Sequence, residues 1–157
     1  MDSIRNVHRV PGLPFLRAAQ HIWNLPNTLI GLLLSAGGSA TLNPYERVLI
    51  MSGTPLGSFL NKLGYAAMCI GDVIVVTGTT PQWLMDHEVA HAKQGRIVGI
   101  LYLPLTFLGY ATGWLLYPTD IRKAHDASFM EIWADVMSHN QHRNRILRAR
   151  DNAKTKR

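Results

Sequence analysis

Residues Ile97–Tyr117 form a run of 21 positions without a single charge. As one helix, that length is enough to cross the hydrocarbon core of a bilayer, about 30 Å thick. What flanks the run restricts this reading. His87-Glu88-Val89-Ala90-His91 lies before it and Glu131 after it. If these side chains share one metal ion, their bonds to it are about 2 Å long, and a straight crossing would put them on opposite sides of the membrane. A real site therefore requires the chain to turn back, and Pro104, Gly109 and Gly113 offer places to bend. Three readings of 97–117 stay open: an apolar hairpin buried in the core, a re-entrant or membrane-interface segment, and a true span. Tyr102, Tyr110, Trp114 and Tyr117 suit an interface or a core equally well.

The motif itself specifies chemistry. Residues i and i+4 of a helix lie one above the other, so His87 and His91 present two imidazoles to one ion, and zinc accepts neutral imidazole nitrogen readily. Glu88 sits at the edge of the same face. Zinc lowers the pKa of a water molecule toward about 7, and Glu88 is placed to take its proton as general base. The outcome is a nucleophile able to attack a carbonyl carbon.

A catalytic zinc needs a third protein ligand and an open position. Two of the three glutamates in the chain are Glu88 and Glu131. Glu131 lies in Phe129-Met130-Glu131-Ile132-Trp133-Ala134-Asp135, whose apolar positions repeat at helical spacing. Glu131 and Asp135 are four residues apart and share a face. Glu131 is the expected third ligand. Asp135 is expected to accept from the distal nitrogen of a ligand histidine, fixing its tautomer. Competing readings exist for each residue. Ser128-x-x-Glu131 also fits a capping box, Asp135 could be a solvated acid, and His125, His139 and His142 are rival ligands. His125 is alternatively a donor for the oxyanion of a tetrahedral intermediate.

The remaining composition bounds the partners. The chain has 157 residues and a net charge of +6, a balance that favours anionic surfaces. Much of that charge is in residues 141–157, a basic tail next to an apolar protein body, so contact with an anionic membrane surface is expected. A solvated tail without a partner is the plain alternative. Nucleic-acid binding is disfavoured, because no aromatic residues are interleaved with the charges. Cys69, the lone cysteine, reads as a small buried apolar residue. Arg5, Arg9 and Arg17 ahead of Leu29–Ala36 and the small residues 37–40 have the order of a signal peptide. Asn24, Pro26 and Asn27 interrupt that order, and favour a short core or membrane-interface helix over 27–36 capped by Asn27 or Thr28.

The local patterns predict one domain over 1–140, of α+β class and mainly helical, with a small sheet beside a two-helix zinc site. Residues 1–20 read as irregular and 37–44 as a loop. Tyr45–Met51 reads as a strand, Gly53–Gly57 as a turn, and Ser58–Met68 is ambiguous. Gly71–Gly78 is the clearest strand. Thr79 or Thr80 should cap a helix over 81–94 that Gly95 stops, and a further helix should run from Pro118 to about His139.

His87-Glu88-x-x-His91 followed by Glu131-x-x-x-Asp135 resembles the gluzincin pattern of thermolysin-like metallopeptidases. Gln94, Gly99 and Leu101-Tyr102-Leu103-Pro104 are similar to small bacterial zincin-like proteins carrying His-Glu-x-x-His-x-x-Gln. The resemblance covers the two ligand helices. The spacing of about forty residues is longer than in thermolysin, and Met130 stands where an asparagine often precedes the third ligand. It implies a zincin-like minimal domain, Zn2+ on His87, His91 and Glu131, Glu88 as general base and Asp135 behind a ligand histidine. It further implies that the strand before the active-site helix, Gly71–Gly78, lies along the substrate. The expected function is zinc-dependent hydrolysis of a peptide or protein substrate by a membrane-associated enzyme. The alternatives are a membrane-associated zincin-fold binding protein without turnover and a basic nucleic-acid-binding protein.

Overall fold

The computed structural model describes residues 14–44 and 46–138. Masses of β-branched residues in the centre of the chain build the core. The strand β4 (Val73–Val76) has all four side chains buried. It is one of the two inner strands of a four-stranded sheet that also contains β1 (Ser39–Asn43), β2 (Val48–Ser52) and β3 (Ala67–Ile70), in the order β1-β2-β4-β3. β2 and β4 are parallel, and the other two pairs are antiparallel. Alternation along β4 sends Ile74 and Val76 to one face and Val73 and Val75 to the other. The first pair packs with Val48, Cys69 and the helix residues Val89 and Ala92. The second packs with Met51 and Leu60. Cys69 is buried as expected, and burial pushes its thiol pKa well up.

Helices cover the sheet: α1 (Pro14–Leu34), α2 (Pro55–Lys62), α3 (Gln82–Val98), α4 (Tyr102–Leu116), α5 (Ile121–Asp126) and α6 (Phe129–Met137), with a 3-10 turn at Gly99–Leu101. The mainly helical α+β class is thus observed. The basic tail, His139 and His142 lie outside the described residues, as do Arg5 and Arg9.

Several local expectations are corrected. Residues 14–20 are helical, part of α1, which runs through Pro26. Asn27 and Thr28 are mid-helix and cap nothing. They point inward, where the Asn27 amide donates to Asn24 Oδ1 (3.0 Å) and to the Gly99 carbonyl (2.7 Å). The loop expected at 37–44 contains β1, and the turn expected at 53–57 becomes α2, capped by Thr54, whose Oγ1 accepts from the Gly57 amide at 2.8 Å. Neither Thr79 nor Thr80 caps α3. The Thr80 hydroxyl donates back to the Gly78 carbonyl, and Pro81 occupies the cap position.

Gly95 does not end α3. A Cβ there would meet Asn24 Oδ1 at 2.6 Å, so this glycine lets α1 and α3 approach. The stop is Gly99, at φ +61°, conformational space that glycine enters without the cost a Cβ would add. Nor is 118–138 one helix: the chain breaks at Ala127–Ser128 between α5 and α6.

The run 97–117 is not a buried hairpin. It is the last turn of α3, the 3-10 turn and the single helix α4, and most of its large side chains are exposed, including Phe107, Trp114 and Leu115. Helical geometry is interrupted at Gly99 and ends at Leu116. Pro104 is accommodated in the first turn of α4, where its missing N–H has no intrahelical partner to lose. Gly109 and Gly113 serve close packing instead: a Cβ at 109 would lie 2.5 Å from Ser128 Oγ, and one at 113 would strike the Ala124 carbonyl. α5 and α6 thereby fold back against α4, which carries Glu131 to the His87–His91 face.

Candidate metal centre

α3 supplies His87 and His91 from one face, and α6 supplies Glu131 from its first turn. Three atoms converge. His87 Nε2 lies 3.0 Å from Glu131 Oε2, His91 Nε2 lies 3.2 Å from the same oxygen, and the two Nε2 atoms are 3.1 Å apart. Ligands of a tetrahedral ion with bonds of about 2.0–2.1 Å stand about 3.3 Å from one another. The triangle has nearly that size already. His91 and Glu131 are buried, and His87 is nearly so.

The outer atoms determine what the inner ones can do. His87 Nδ1 faces Asp135 Oδ1 at 2.9 Å, so it carries the proton and donates. Gln94 donates its amide NH2 to the Met130 carbonyl at 2.8 Å, which turns Gln94 Oε1 toward His91 Nδ1 at 2.9 Å. His91 Nδ1 must donate as well. Both Nε2 atoms of neutral imidazoles are then lone-pair acceptors, aimed at each other and at a carboxylate oxygen. Such a group is repulsive unless it shares a cation, and a set of two imidazoles and one carboxylate is a metal-ligand set. In its absence a proton does the work. Burial opposes charge on His87, but its hydrogen bonds to Asp135 and Glu131 outweigh it and raise the pKa to about 10. Burial likewise opposes ionisation of Glu131, yet His91 and His87 hold its pKa well below the ordinary value.

Glu131 turns one oxygen, Oε2, toward the two histidines. Its other oxygen, Oε1, accepts from the Tyr110 hydroxyl at 2.9 Å, and His125 Nε2 is 3.4 Å away. His125 on α5 stacks against the Tyr110 ring, with centroids 5.6 Å apart. Glu88, buried one residue along from His87, makes no side-chain hydrogen bond among the described residues. Burial raises its pKa, and the neighbouring His91 and His87 charges only partly offset this.

The residues expected at the site are therefore brought together: His87, His91 and Glu131 at its centre, Asp135 behind His87, and Glu88 and His125 beside it. The capping-box alternative for Glu131 fails, since the Ser128 side chain makes no cap bond and Glu131 points to the histidines. One expectation is overturned. β4 is paired with β2 on one side and β3 on the other, so the strand Gly71–Gly78 has no open edge for a substrate to lie along. Sequence reasoning missed Tyr110, which carries no local signal for this role, and assigned no contact to Gln94. The spacing His91-x-x-Gln94 could have supplied the latter, because side chains three apart on a helix are neighbours.

No family model, no curated protein and no solved structure matches this chain.

Proposed function

We propose that the chain is a zinc-dependent peptidase in which His87, His91 and Glu131 hold the ion and Glu88 is the general base. The observation that carries this reading is the convergence of three acceptor atoms at 3.0–3.2 Å, with both histidine tautomers fixed from outside. The donor set of two nitrogens and one oxygen favours zinc, and three protein ligands leave a coordination position open. A zinc ion bound there supplies a Lewis acid and brings the pKa of water toward about 7.

The protein groups supply the rest. Glu88, buried beside His87 with its pKa raised by burial, would take the proton of the attacking water and return it to the leaving amine. Asp135 and Gln94 hold the imidazoles in the orientation that keeps Nε2 forward. His125 and Tyr110, gathered on the far oxygen of Glu131, are donors beside the site that would suit an anionic carbonyl oxygen.

The test uses metal content and hydrolysis of fluorescently labelled casein together. Glu131→Ala is expected to lose the zinc. Glu88→Gln is expected to keep it and lose about 10²–10⁴-fold in rate. Retained hydrolysis in Glu88→Gln overturns the general-base role, and equal zinc in Glu131→Ala removes that ligand. A zinc-loaded wild type that cleaves nothing favours the reading as a binding protein without turnover.

A further inference from the structure

α1 has its polarity inverted. Its buried positions are Asn24, Asn27 and Gly31, at helical spacing, with His21 and Thr28 partly buried on the same face and Ser35 buried just beyond its end. All ten of its Leu, Ile, Phe and Trp side chains are exposed, from Leu32 at 37% to Phe15 at 77%. The inner face is satisfied by polar contacts. His21 Nδ1 meets Asp72 Oδ2 at 2.6 Å, Asn24 donates to Asp72 Oδ1, and Arg96 Nε donates to the same oxygen at 2.8 Å. Thr28 Oγ1 accepts from the Asp72 amide. In water this arrangement is upside down, because a helix on a soluble core buries its apolar stripe. In hydrocarbon it is the expected one: polar groups face the protein interior, and Leu and Ile face the solvent.

α4 shares the property. Leu115 is 83% exposed, Phe107 71% and Leu116 67%. Its closest contacts are made at Gly109 and Gly113, as α1 makes its own at Gly31, whose Cβ would lie 2.5 Å from the Ile70 carbonyl. Small residues at contacts and large ones outside are how helices pack in lipid. The two surfaces adjoin, since Trp23 of α1 lies directly on Gly99, at the junction of α3 with α4.

We propose that α1 and the segment 97–117 form one continuous lipid-facing surface that inserts into the acyl-chain region of an anionic bilayer. Charge placement selects lipid over a second protein. No Asp, Glu, Lys or Arg occurs over residues 18–45 or 97–119, whereas a protein interface of this size keeps a polar rim. Exposed cations bracket the charge-free segments, with Arg17 before the first and Arg122 and Lys123 after the second. These suit anionic headgroups. Trp23, Trp114 and Tyr117 suit the headgroup boundary. The ligand constraint still holds, so the surface dips into the membrane without carrying Glu131 across it. Taken together, α3, the 3-10 turn and α4 (Gln82–Leu116) are long and apolar enough by length and composition to cross, yet only 22% of the most apolar window is buried. A membrane at its exposed side accounts for that value.

The experiment uses the full chain and vesicles of phosphatidylcholine, with and without about 30% phosphatidylglycerol, the anionic fraction being set to engage the basic residues. The wild type is expected to float with the anionic vesicles, and its tryptophan fluorescence to be quenched by lipids brominated along the acyl chain. Replacing Trp23 and Trp114 by Phe should remove most of the quenching. Leu33→Glu and Leu115→Glu should each weaken partition by about tenfold or more, whereas Leu63→Glu, on an exposed site outside the surface, should not. Circular dichroism confirms that each variant is folded, and the quenching of the wild type needs no variant. Absence of flotation with either vesicle overturns the proposal. So does a discrete dimer that Leu33→Glu dissociates while vesicles remain unbound, which would make the surface an interface between copies. Quenching that survives the Trp23 and Trp114 replacements also refutes it.

Discussion

Gln94 is fully buried, and both halves of its amide are used. It donates to the Met130 carbonyl at 2.8 Å and accepts from His91 Nδ1 at 2.9 Å. Gln94→Leu, similar in bulk, leaves a buried carbonyl and a buried imidazole N–H without partners. An unsatisfied buried group costs about 1–3 kcal/mol, so the pair costs about 2–6 kcal/mol. At about 2–4 °C per kcal/mol for a chain of this length, the melting temperature should fall by roughly 5–20 °C. The same change frees the His91 tautomer, and loss of such an outer partner lowers metal affinity by about 10–100-fold. Gln94→Glu separates the two effects. Its carboxylate still accepts from Nδ1, so most of the affinity returns. It cannot donate to Met130, so the stability does not. The measurements are thermal unfolding and a competitive zinc titration on all three proteins. If Gln94→Leu binds zinc like the wild type, Gln94 does not set the His91 tautomer. If it also melts like the wild type, the whole account of that side chain is wrong.

Other consequences follow from the same geometry. The raised pKa of His87, about 10, gives a sign for pH. A histidine raised in the folded state stabilises the metal-free protein fully below its ordinary value near 6.5, and this contribution fades as pH rises through about 10. The ion must displace that proton, so metal affinity should increase with pH over this window. Titration calorimetry at pH 7 should show heats that depend on the buffer's ionisation enthalpy, and buffer-independent heats would contradict the shift. Gly113→Ala places a methyl on the Ala124 carbonyl; overpacking of this kind costs about 1–3 kcal/mol, read as a lower unfolding midpoint, and because α5 and α6 pack on α4, zinc retention should fall too. An unchanged midpoint would mean that α5 shifts freely.

The chemistry of the centre was legible in the sequence, because helical geometry makes i and i+4 neighbours wherever a helix forms. His87 with His91, and Glu131 with Asp135, needed only that rule. The β-branched run Val73-Ile74-Val75-Val76 announced a buried strand for a similarly local reason. Helix ends were less legible. Gly95 and Gly113 look like breakers in a local reading, but each is glycine because another element comes within reach of its missing Cβ. Nothing within the helix itself signals that approach.

What the sequence determined by itself is a paired-histidine face, a nearby base, a candidate acid and a charge-free run. Each is set by spacing along one chain. Tertiary structure decided how these meet. The break after α4 and the packing of α5 and α6 on it bring α6 back to α3, and α4 lays the Tyr110 hydroxyl on Glu131. Packing also decided which face of α1 is inside. A periodic pattern separates two faces of a helix, but only partners such as the Asp72 carboxylate and the Gly99 carbonyl make the polar face the buried one.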